Sequence, residues 1–364
     1  MIRVVTIVGA RPQFIKAAVV SRVIRRTPGI TEDVIHTGQH YDDDMSAVFF
    51  DELEMAEPHL NLGVGSGSHA VQTARMLESL ETALRDLEPH LVLVYGDTNS
   101  TLAGALAAAK IPIPVAHVEA GVRSFNRRMP EEINRIAIDH ISDVLFPPTE
   151  TARLRLVTEG LEGRTLVRVG DVMFDAVLHA ASRRKARSGL LAELGIAAGS
   201  YILVTIHRAE NTDDPARLGG ILRALETLAA EFPVVLPLHP RTRAAFQGLR
   251  PAGLGDSAIK VIGPLGYMDM QAAEAAAKVI VTDSGGVQKE AYWHGVPCVT
   301  VRHETEWVEL IEAGWNRLAA PEDPVAIIRA VRLSGSTRDL PRPPLYGDGH
   351  AGEKIVATLL SRFG

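Results

Sequence analysis

Short runs of aliphatic and β-branched residues alternate with longer amphipathic stretches through the first half of the chain. Such runs predict strands at residues 4–8, 34–36, 91–95, 115–118 and 144–146. The stretches between them predict helices at 14–25, 45–54, 69–88, 101–110 and 131–142. Repeated strand–helix units of this kind form a parallel sheet with helices on both faces. The first half is therefore predicted to be a doubly wound α/β domain.

The same alternation starts again in the second half of the chain. Strands are predicted at 201–205, 234–236, 259–262, 279–282 and 298–301, with helices at 216–231, 287–293 and 352–360. Two starts of one pattern predict two Rossmann-like domains. We expect the first domain to span residues 1–171 and the second to span residues 172–349.

One stretch of the second half combines a strand, a turn and a helix in a way that suits phosphate. In KVIVTDSGGVQKE, residues 278–290, a buried strand stops at DSGG and a helical pattern follows. The first N–H groups of a helix and its dipole attract anions, and Gly285 and Gly286 let the backbone come close to a ligand. Glu290, about one turn into the helix, could accept ribose hydroxyls. An ordinary tight strand–helix connection is the alternative.

Composition narrows the class of protein. The 364 residues are 46% hydrophobic and 23% charged, as in a globular chain of two domains. The net charge is −6 and the basic residues are scattered, so we expect no nucleic-acid surface. The single cysteine, Cys298, cannot form an internal disulfide. Neither a signal peptide nor a run of transmembrane length is predicted, so we expect a cytoplasmic protein without a membrane partner.

Polar residues follow nearly every predicted strand, where ligands of open α/β sheets bind. Each alone is a cap or turn residue; together they predict one cleft between two domains. The chain lacks the P-loop pattern, the GxGxxG fingerprint of NAD enzymes and metal-ligand spacings, so neither a cofactor nor a metal is expected. These strand-exit residues are Arg11, Gln39, His40, residues 96–98, His117, Glu119, His207, Arg208, His239, Arg241 and residues 284–286.

Six ordered segments carry a resemblance to a known family: GARP (9–12), GDT (96–98), HVEAG (117–121), PEEINR (130–135), HRAEN (207–211) and DSGGVQKE (283–290). Together they resemble the non-hydrolysing UDP-N-acetylglucosamine 2-epimerases, and the likeness extends to YGDG at 346–349. The resemblance implies the glycosyltransferase-B architecture, with a UDP-sugar in the cleft and a last helix, within 350–364, packed back on the first domain. It also implies a homodimer whose product feeds polysaccharide biosynthesis.

The chemistry of carbon 2 agrees with these residues. Its hydrogen is not next to a carbonyl, and no NAD fingerprint is present to supply an oxidation. The remaining route breaks the anomeric C–O bond, removes the carbon 2 proton to give UDP and a 2-acetamidoglucal, and adds UDP back after protonation on the other face. The resemblance implies catalytic roles for Lys16, Asp97, Glu119, Glu131, Arg135 and His207, and UDP-binding roles for Arg11, His207, Arg241, Ser284, Gly285, Gly286 and Glu290.

Several alternatives remain open from the residues alone. Asp97 and Glu119 are favoured as the groups near carbon 2, with Glu131 as the third candidate, but one of the first two could instead orient Arg123. Glu131 and Arg135 could form a surface ion pair.

The substrate is also open. ETEWVE at 304–309 replaces the TERPE of many bacterial members, and GSGSH at 65–69 marks a subgroup. Some relatives with these features act on UDP-2,3-diacetamido-2,3-dideoxyglucuronate, whose carboxylate could meet Arg127, Arg128, Arg302 or His303. UDP-GlcNAc is the first expectation; a retaining glycosyltransferase and a non-catalytic UDP-sugar sensor are further alternatives. Because Val71-Gln72 stands where an Arg-Gln pair is expected, we expect little activation by a second UDP-GlcNAc.

Overall fold

The structure, a computed structural model, describes residues 1–39, 50, 52–183, 189–238, 242–243, 245–246 and 259–364. The described chain divides into two compact units, residues 1–178 with 344–364 and residues 179–343. Each unit contains one sheet, and every strand pair in both sheets is parallel. The prediction of two parallel α/β sheets is confirmed.

The first unit has a seven-stranded sheet in the order β3-β2-β1-β4-β5-β6-β7. Its strands are β1 Ile2–Val8, β2 Ile30–His36, β3 Leu60–Asn61, β4 Leu91–Tyr95, β5 Val115–Val118, β6 Val144–Phe146 and β7 Thr165–Leu166. Its helices include α1 Arg11–Arg26, α2 His69–Leu87, α3 Asn99–Lys110, α4 Pro130–Ile141 and α5 Glu150–Thr158. The next helix, α6 Val172–Arg183, contains the boundary between the two units at residues 178 and 179.

The second unit has a six-stranded sheet in the order β10-β9-β8-β11-β12-β13. Its strands are β8 Ile202–Thr205, β9 Val234–Pro237, β10 Ile259–Ile262, β11 Val279–Thr282, β12 Cys298–Thr300 and β13 Asn316–Leu318. Its helices are α7 Gly189–Leu194, α8 Ala209–Thr212, α9 Pro215–Ala229, α10 Tyr267–Ala276, α11 Gly285–His294, α12 Val308–Glu312, α13 Pro324–Leu333 and the 3₁₀-helix Ser334–Asp339. The last helix, α14 Ala351–Phe363, belongs to the first unit.

In each sheet the strand order reverses once, and this point decides where a ligand can bind. The reversal lies between β1 and β4 in the first unit and between β8 and β11 in the second. Helices leave such neighbouring strands on opposite faces, which opens a crevice beyond their carboxyl ends. Arg11 and Asp97 follow the first pair of strands, while His207 and Ser284 follow the second pair.

The packing of the first unit's core places helix α3 close to the carboxyl ends of the central strands. Val4, Val5, Ile7 and Val8 of β1 are fully buried, as expected for a strand covered on both faces. A Cβ atom on Gly104 of α3 would lie only 2.8 Å from Ile7 Cδ1, so the helix packs unusually close to the sheet. The N-terminus of α3 is thereby held against the carboxyl end of the central strands.

The last helix packs within the first unit. Its residues Ile355, Val356 and Leu359 are buried, and a Cβ atom on Gly352 would approach Val19 Cγ1 to 2.9 Å. The Asp175 carboxylate accepts a hydrogen bond from the Gly352 N–H at 3.0 Å, and burial raises the pKa of Asp175 to about 6. No described helix is both long and apolar enough to cross a membrane.

The sequence pattern missed several short elements. β3, β7, α5 and α12 have two to nine residues, which is too short for a clear hydrophobic period. α1 and α11 begin two or three residues before the predicted start, because the helix forms directly at the strand exit. The helix predicted at 45–54 falls mostly outside the described residues.

Two adjacent glycines in α9 allow a matched test of this packing. A Cβ atom on Gly220 would lie 2.4 Å from the Pro321 carbonyl oxygen, whereas one on Gly219 would meet only the Arg223 guanidinium at 3.3 Å. We expect Gly220→Ala to lower the free energy of unfolding by about 1–3 kcal/mol, since backbone must shift. Gly219→Ala should raise it by about 0.5–1 kcal/mol through helix propensity. Denaturant unfolding measures both; equal effects would contradict the close contact.

Candidate functional site

The exits of β4 and β5 bring two of the predicted catalytic carboxylates into one region of the first unit. Glu119 follows β5, and its Oε2 lies 2.8 Å from the Lys16 ammonium of α1, with both side chains 12% exposed. A Cβ atom on Gly96 would lie 3.2 Å from Lys16 Nζ, so glycine leaves the lysine its place. The ion pair is therefore partly sheltered from water yet reachable.

Asp97 lies at the exit of the adjacent strand and pairs with Arg135 of α4. Arg135 Nη2 and Nε lie 2.7 and 2.9 Å from Asp97 Oδ2, and Arg135 Nη1 donates to Glu132 Oε2 at 2.7 Å. The Asn134 amide donates to the Asp97 carbonyl oxygen at 2.8 Å. The Asp97 side chain remains 27% exposed, so its carboxylate is fixed in orientation while still accessible to a ligand.

Glu132 holds the loop that precedes α4. Its carboxylate accepts from the backbone N–H groups of Ser124 and Phe125 at 2.9 and 2.8 Å. Burial alone would raise the pKa of Glu132, but the Ser124 N–H, Arg135 and the Phe125 N–H together lower it below its usual value. Glu131, the residue predicted to be catalytic, is half-buried in the first turn of the same helix.

The backbone around Glu119 adopts a conformation that few residues of its type share. Glu119 has a φ of 75°, in the left-handed region, and Gly121 has a φ of 78°. A Cβ atom on Gly121 would lie 2.3 Å from the Ala152 carbonyl oxygen. Left-handed non-glycine residues cost free energy and persist where the surroundings enforce them. Here the tight turn after β5 directs the Glu119 carboxylate towards Lys16.

A buried network of charged side chains is hydrogen-bonded to this turn. Asp139 of α4 accepts from His117 Nδ1 at 2.7 Å, pairs with Arg123 Nη1 at 2.7 Å and accepts from the Gly121 N–H at 3.0 Å. Although burial raises the pKa of Asp139, His117 and Arg123 outweigh it and keep the carboxyl ionised. Arg123 also pairs with Glu159 at 2.7 Å. The idea that Asp97 or Glu119 orients Arg123 is thus wrong, because Asp139 and Glu159 do so.

Amide side chains fix the backbone between the strand exits. Gln13 Oε1 accepts from the Gly9 and Ala10 N–H groups at 2.8 and 3.1 Å, and its Nε2 donates to the Tyr95 carbonyl oxygen at 3.0 Å. Gln72 Nε2 donates to the Gln39 and Gly65 carbonyl oxygens, while its Oε1 accepts from Asn99. Gln72 is thus engaged in the fold of its own unit. His40, predicted beside it, lies outside the described residues.

In the second unit, the fully buried Asp283 joins the exits of β8 and β11. Its carboxylate accepts from the backbone N–H groups of His207 and Arg208 at 3.1 and 3.0 Å, and from the Asn211 amide at 3.1 Å. The His207 ring, 54% exposed, has its Nδ1 3.3 Å from Asp283 Oδ1. This contact leaves the opposite ring nitrogen directed away from the carboxylate. His207 is held where the sequence predicted it, at the strand exit.

Ser284, Gly285 and Gly286 form the start of α11. Ser284 is the N-cap and its Oγ accepts from the Val287 N–H at 3.5 Å, while its own N–H donates to Thr282 Oγ1 at 2.9 Å. The first N–H groups of a helix have no carbonyl partner within the helix. A Cβ atom on Gly285 would lie 3.5 Å from Trp307 Nε1 and 3.9 Å from Arg208 Nη2. The predicted anion site therefore stands beside an arginine.

Glu290 lies one turn further along α11 and is 7% exposed. Its Oε1 accepts from Gln271 Nε2 at 2.8 Å. Its Oε2 would lie 4.0 Å from a Cβ atom on Gly286, so the carboxylate reaches towards the start of the helix. The placement fits the predicted role as a hydroxyl acceptor near a bound diphosphate.

The arginines suggested for a substrate carboxylate differ in availability. Arg302, 3% exposed, makes two hydrogen bonds of 3.0 Å to the Glu306 carboxylate, so its guanidinium is used inside the second unit. Arg127 and Arg128 are exposed in the loop before α4, and His303 lies 3.3 Å from Glu322. The predicted UDP contact Arg241 and its neighbour His239 lie outside the described residues.

The comparisons with known proteins agree with this arrangement of strands. Residues 22–360 match the family described as UDP-N-acetylglucosamine 2-epimerase. A crystal structure of Methanocaldococcus jannaschii UDP-GlcNAc 2-epimerase in complex with UDP-GlcNAc and UDP is similar, with a TM-score of 0.92 and 39% identity over 99% of this chain and 100% of that one. The Neisseria meningitidis UDP-GlcNAc 2-epimerase bound to UDP-GlcNAc has a TM-score of 0.90 and 30% identity, covering 99% of this chain and 100% of that one.

A curated relative adds a second substrate class. The UDP-2,3-diacetamido-2,3-dideoxy-D-glucuronate 2-epimerase of Pseudomonas aeruginosa is 48% identical over 98% of this chain and 99% of its own length. The fold and the relatives together define a nucleotide-sugar epimerase of the glycosyltransferase-B type. The chain belongs to the UDP-N-acetylglucosamine 2-epimerase family.

The buried network below the Glu119 turn generates a stability prediction. Asp139→Asn leaves Arg123 buried with one carboxylate fewer, and we expect the free energy of unfolding to fall by about 3–5 kcal/mol at neutral pH. Because the pKa of Asp139 is lowered in the folded protein, its contribution is present above the pKa of an unfolded carboxyl and is lost as the pH falls through the folded pKa. The difference between variant and parent should therefore narrow in acid.

Denaturant unfolding at several pH values measures this difference. Glu81→Gln is the matched control, since Glu81 pairs with Arg85 at 2.8 Å on the exposed face of α2. Removing an exposed pair should cost less than about 0.5 kcal/mol. A cost for Asp139→Asn as small as that of the control would show that Arg123 does not depend on it.

Proposed function

We propose that this protein inverts carbon 2 of a UDP-2-acetamido sugar, converting UDP-GlcNAc to UDP-ManNAc without a cofactor. The observation that carries the proposal is the pair of carboxylates, Asp97 and Glu119, at the exits of adjacent strands, each with its own cation. A protein that only binds an anionic nucleotide sugar gains nothing from carboxylates beside the ligand, because they repel it. An epimerase needs them as proton acceptor and donor.

The reaction begins with the leaving group. The anomeric C–O bond breaks with its electron pair moving to the diphosphate oxygen, and positive charge develops at carbon 1. Arg11 in the first unit, and Ser284, Gly285 and Gly286 in the second, are proposed to stabilise the diphosphate, assisted by His207 and Arg241. Donors already fixed by the fold stabilise developing charge without having to reorganise. Glu290 is proposed to bind the ribose hydroxyls.

The proton of carbon 2 is removed next. A carboxylate takes it as the C–H electron pair forms the double bond of a 2-acetamidoglucal, and UDP remains bound. A proton is then delivered to carbon 2 on the opposite face, and a diphosphate oxygen attacks carbon 1. We propose Asp97 and Glu119 for these proton transfers, with Glu131 as the third candidate. Lys16 and Arg135 hold the two carboxylates in place.

A second substrate has a specific observation in its favour. The Pseudomonas aeruginosa relative at 48% identity acts, by its name, on a diacetamido glucuronate. Arg302 is engaged by Glu306, so Arg127 and Arg128 are the stronger candidates to meet a sugar carboxylate. We further propose a cytoplasmic homodimer, as the resemblance implies, and little activation by UDP-GlcNAc, because Gln72 is engaged internally.

Isotope exchange tests the proposed function. In heavy water, deprotonation and reprotonation at carbon 2 must exchange its hydrogen, so we expect deuterium at that carbon in recovered UDP-GlcNAc and in UDP-ManNAc. Parallel incubation with the diacetamido glucuronate and comparison of the initial rates identifies the preferred substrate. Deuterium at carbon 2 of neither sugar would refute the epimerase; a retaining glycosyltransferase or a sensor would leave that carbon unlabelled.

Neutral substitutions test the two carboxylates. We expect Asp97→Asn and Glu119→Gln to lower turnover by at least ~10²-fold with UDP affinity retained, since proton transfer is lost while the diphosphate contacts remain. Initial rates and calorimetric titration with UDP measure the two effects. Glu81→Gln, on an exposed helix face, should keep full turnover. A residue whose neutral variant turns over within a few-fold of the parent is not a proton carrier.

A further inference from the structure

Behind Glu290 lies a buried polar cluster that the proposed mechanism does not use. Gln271 and Glu274 of α10 are 3% and 0% exposed. Gln271 Nε2 donates to Glu290 Oε1 at 2.8 Å and to Glu274 Oε2 at 3.2 Å, while Gln271 Oε1 accepts from His294 Nε2 at 2.9 Å. One amide thus orients two carboxyl groups that face each other across α10 and α11.

These two carboxyl groups share one amide donor, and this arrangement favours a proton on one of them. Gln271 Nε2 holds both of them where they are only 0% and 7% exposed, so ionising both would set two negative charges against each other with little water to screen them. Glu274 Oε1 is buried and meets no N–H or O–H donor in the described part of the chain. A buried carboxylate oxygen without a donor is costly, and this cost disfavours the ionised form of Glu274.

The surroundings of Glu274 favour its neutral form. Burial raises the pKa of Glu274 well above its usual value, and the charge of Glu290 raises it further. The other titratable groups facing it are Tyr201, Cys298 and His294. Burial raises the pKa values of Tyr201 and Cys298, so both are neutral; His294 Nε2 lies 4.0 Å from Glu274 Oε2 and is hydrogen-bonded to Gln271.

We propose that Glu274 is a positioning residue, which stays protonated and, together with Gln271, holds Glu290 as the ionised acceptor of the ribose hydroxyls. Gln271 occupies Glu290 Oε1, and Glu290 Oε2 reaches towards Gly286 at the start of α11. The inference rests on the proposed function, because it assumes that a uridine nucleotide binds there. It assigns to Glu274 the discrimination between ribose and 2′-deoxyribose without direct contact to either.

The arrangement has a pH dependence with a defined sign. If Glu274 loses its proton, two negative charges face each other in a buried cluster, and Glu290 must turn away. UDP affinity should therefore fall as the pH rises through the raised pKa of Glu274. The folded protein also loses stability over the same change, since a glutamate in the unfolded chain ionises near its ordinary pKa of 4.5 while the buried one resists ionisation.

Calorimetric titration of the full chain with UDP and with 2′-deoxy-UDP tests the proposal. The titrations are repeated from about pH 6 to 9, because the pKa of Glu274 is raised above its ordinary value. For the parent we expect UDP to bind at least ~10-fold more tightly than 2′-deoxy-UDP, as for a hydrogen bond to a charged group, with the ratio falling at high pH. Glu274→Gln keeps a donor that cannot ionise, so its ratio should stay constant. Glu274→Met fills the volume without a donor and should lose the ratio.

Ser284→Ala is the matched control, because loss of a diphosphate contact should weaken both nucleotides equally. Unfolding gives a readout independent of nucleotide: the stability of Glu274→Gln relative to the parent should increase from about pH 5 to pH 8. Three results would each overturn the inference alone. Glu274→Met could keep the parental ratio of UDP to 2′-deoxy-UDP affinity, or the ratio of Glu274→Gln could fall with pH as the parental ratio does. The third result is a stability difference between Glu274→Gln and the parent that does not change with pH. A folded parent that binds neither nucleotide would overturn the proposed function as well.

Discussion

Each sheet depends on one buried polar side chain that bridges its two central strand exits. In the second unit this is Asp283, which follows β11. Its carboxylate accepts hydrogen bonds from the N–H groups of His207 and Arg208, which follow β8. In the first unit Gln13 does the equivalent, with its oxygen on the turn after β1 and its nitrogen on the end of β4. Strand exits carry unpaired backbone groups, and burying them without partners would cost several hydrogen bonds. These bridges fix the geometry from which the candidate ligand contacts extend.

The sequence could predict the sheets and most of the strand-exit residues, because a buried parallel strand appears as a continuous aliphatic run and its end as a turn. It could not predict which charged groups pair. Arg123 pairs with Asp139 and Glu159, and Arg135 reaches back to Asp97, although these partners are 16 to 38 positions apart in the sequence. Glu132 was missed because a buried glutamate in a helical first turn resembles an ordinary solvated one. Such pairings depend on tertiary packing rather than on local pattern.

The charges of the first unit are organised so that each of the two favoured proton carriers, Asp97 and Glu119, has a cation beside it. Lys16 faces Glu119, and Arg135 divides its donors between Asp97 and Glu132. Buried or half-buried pairs of this kind contribute little net stability, since the cost of desolvation offsets most of the attraction. Their value lies in orientation: the carboxylates are already fixed before substrate arrives, which lowers the cost of reaching a reactive geometry. Arg302 is oriented in a similar way, because its guanidinium makes two hydrogen bonds of 3.0 Å to the Glu306 carboxylate.

The left-handed backbone of Glu119 has a consequence for attempts to stabilise this protein by mutation. At a φ of 75°, glycine or asparagine would fit with less strain than glutamate does. A mutagenesis library sorted only for thermal stability should therefore enrich such replacements at position 119 and, with them, proteins that lack this proposed proton carrier. Stability and the proposed catalytic role make opposite demands on this residue, so an engineer who seeks a more robust protein should keep Glu119 and improve the chain elsewhere.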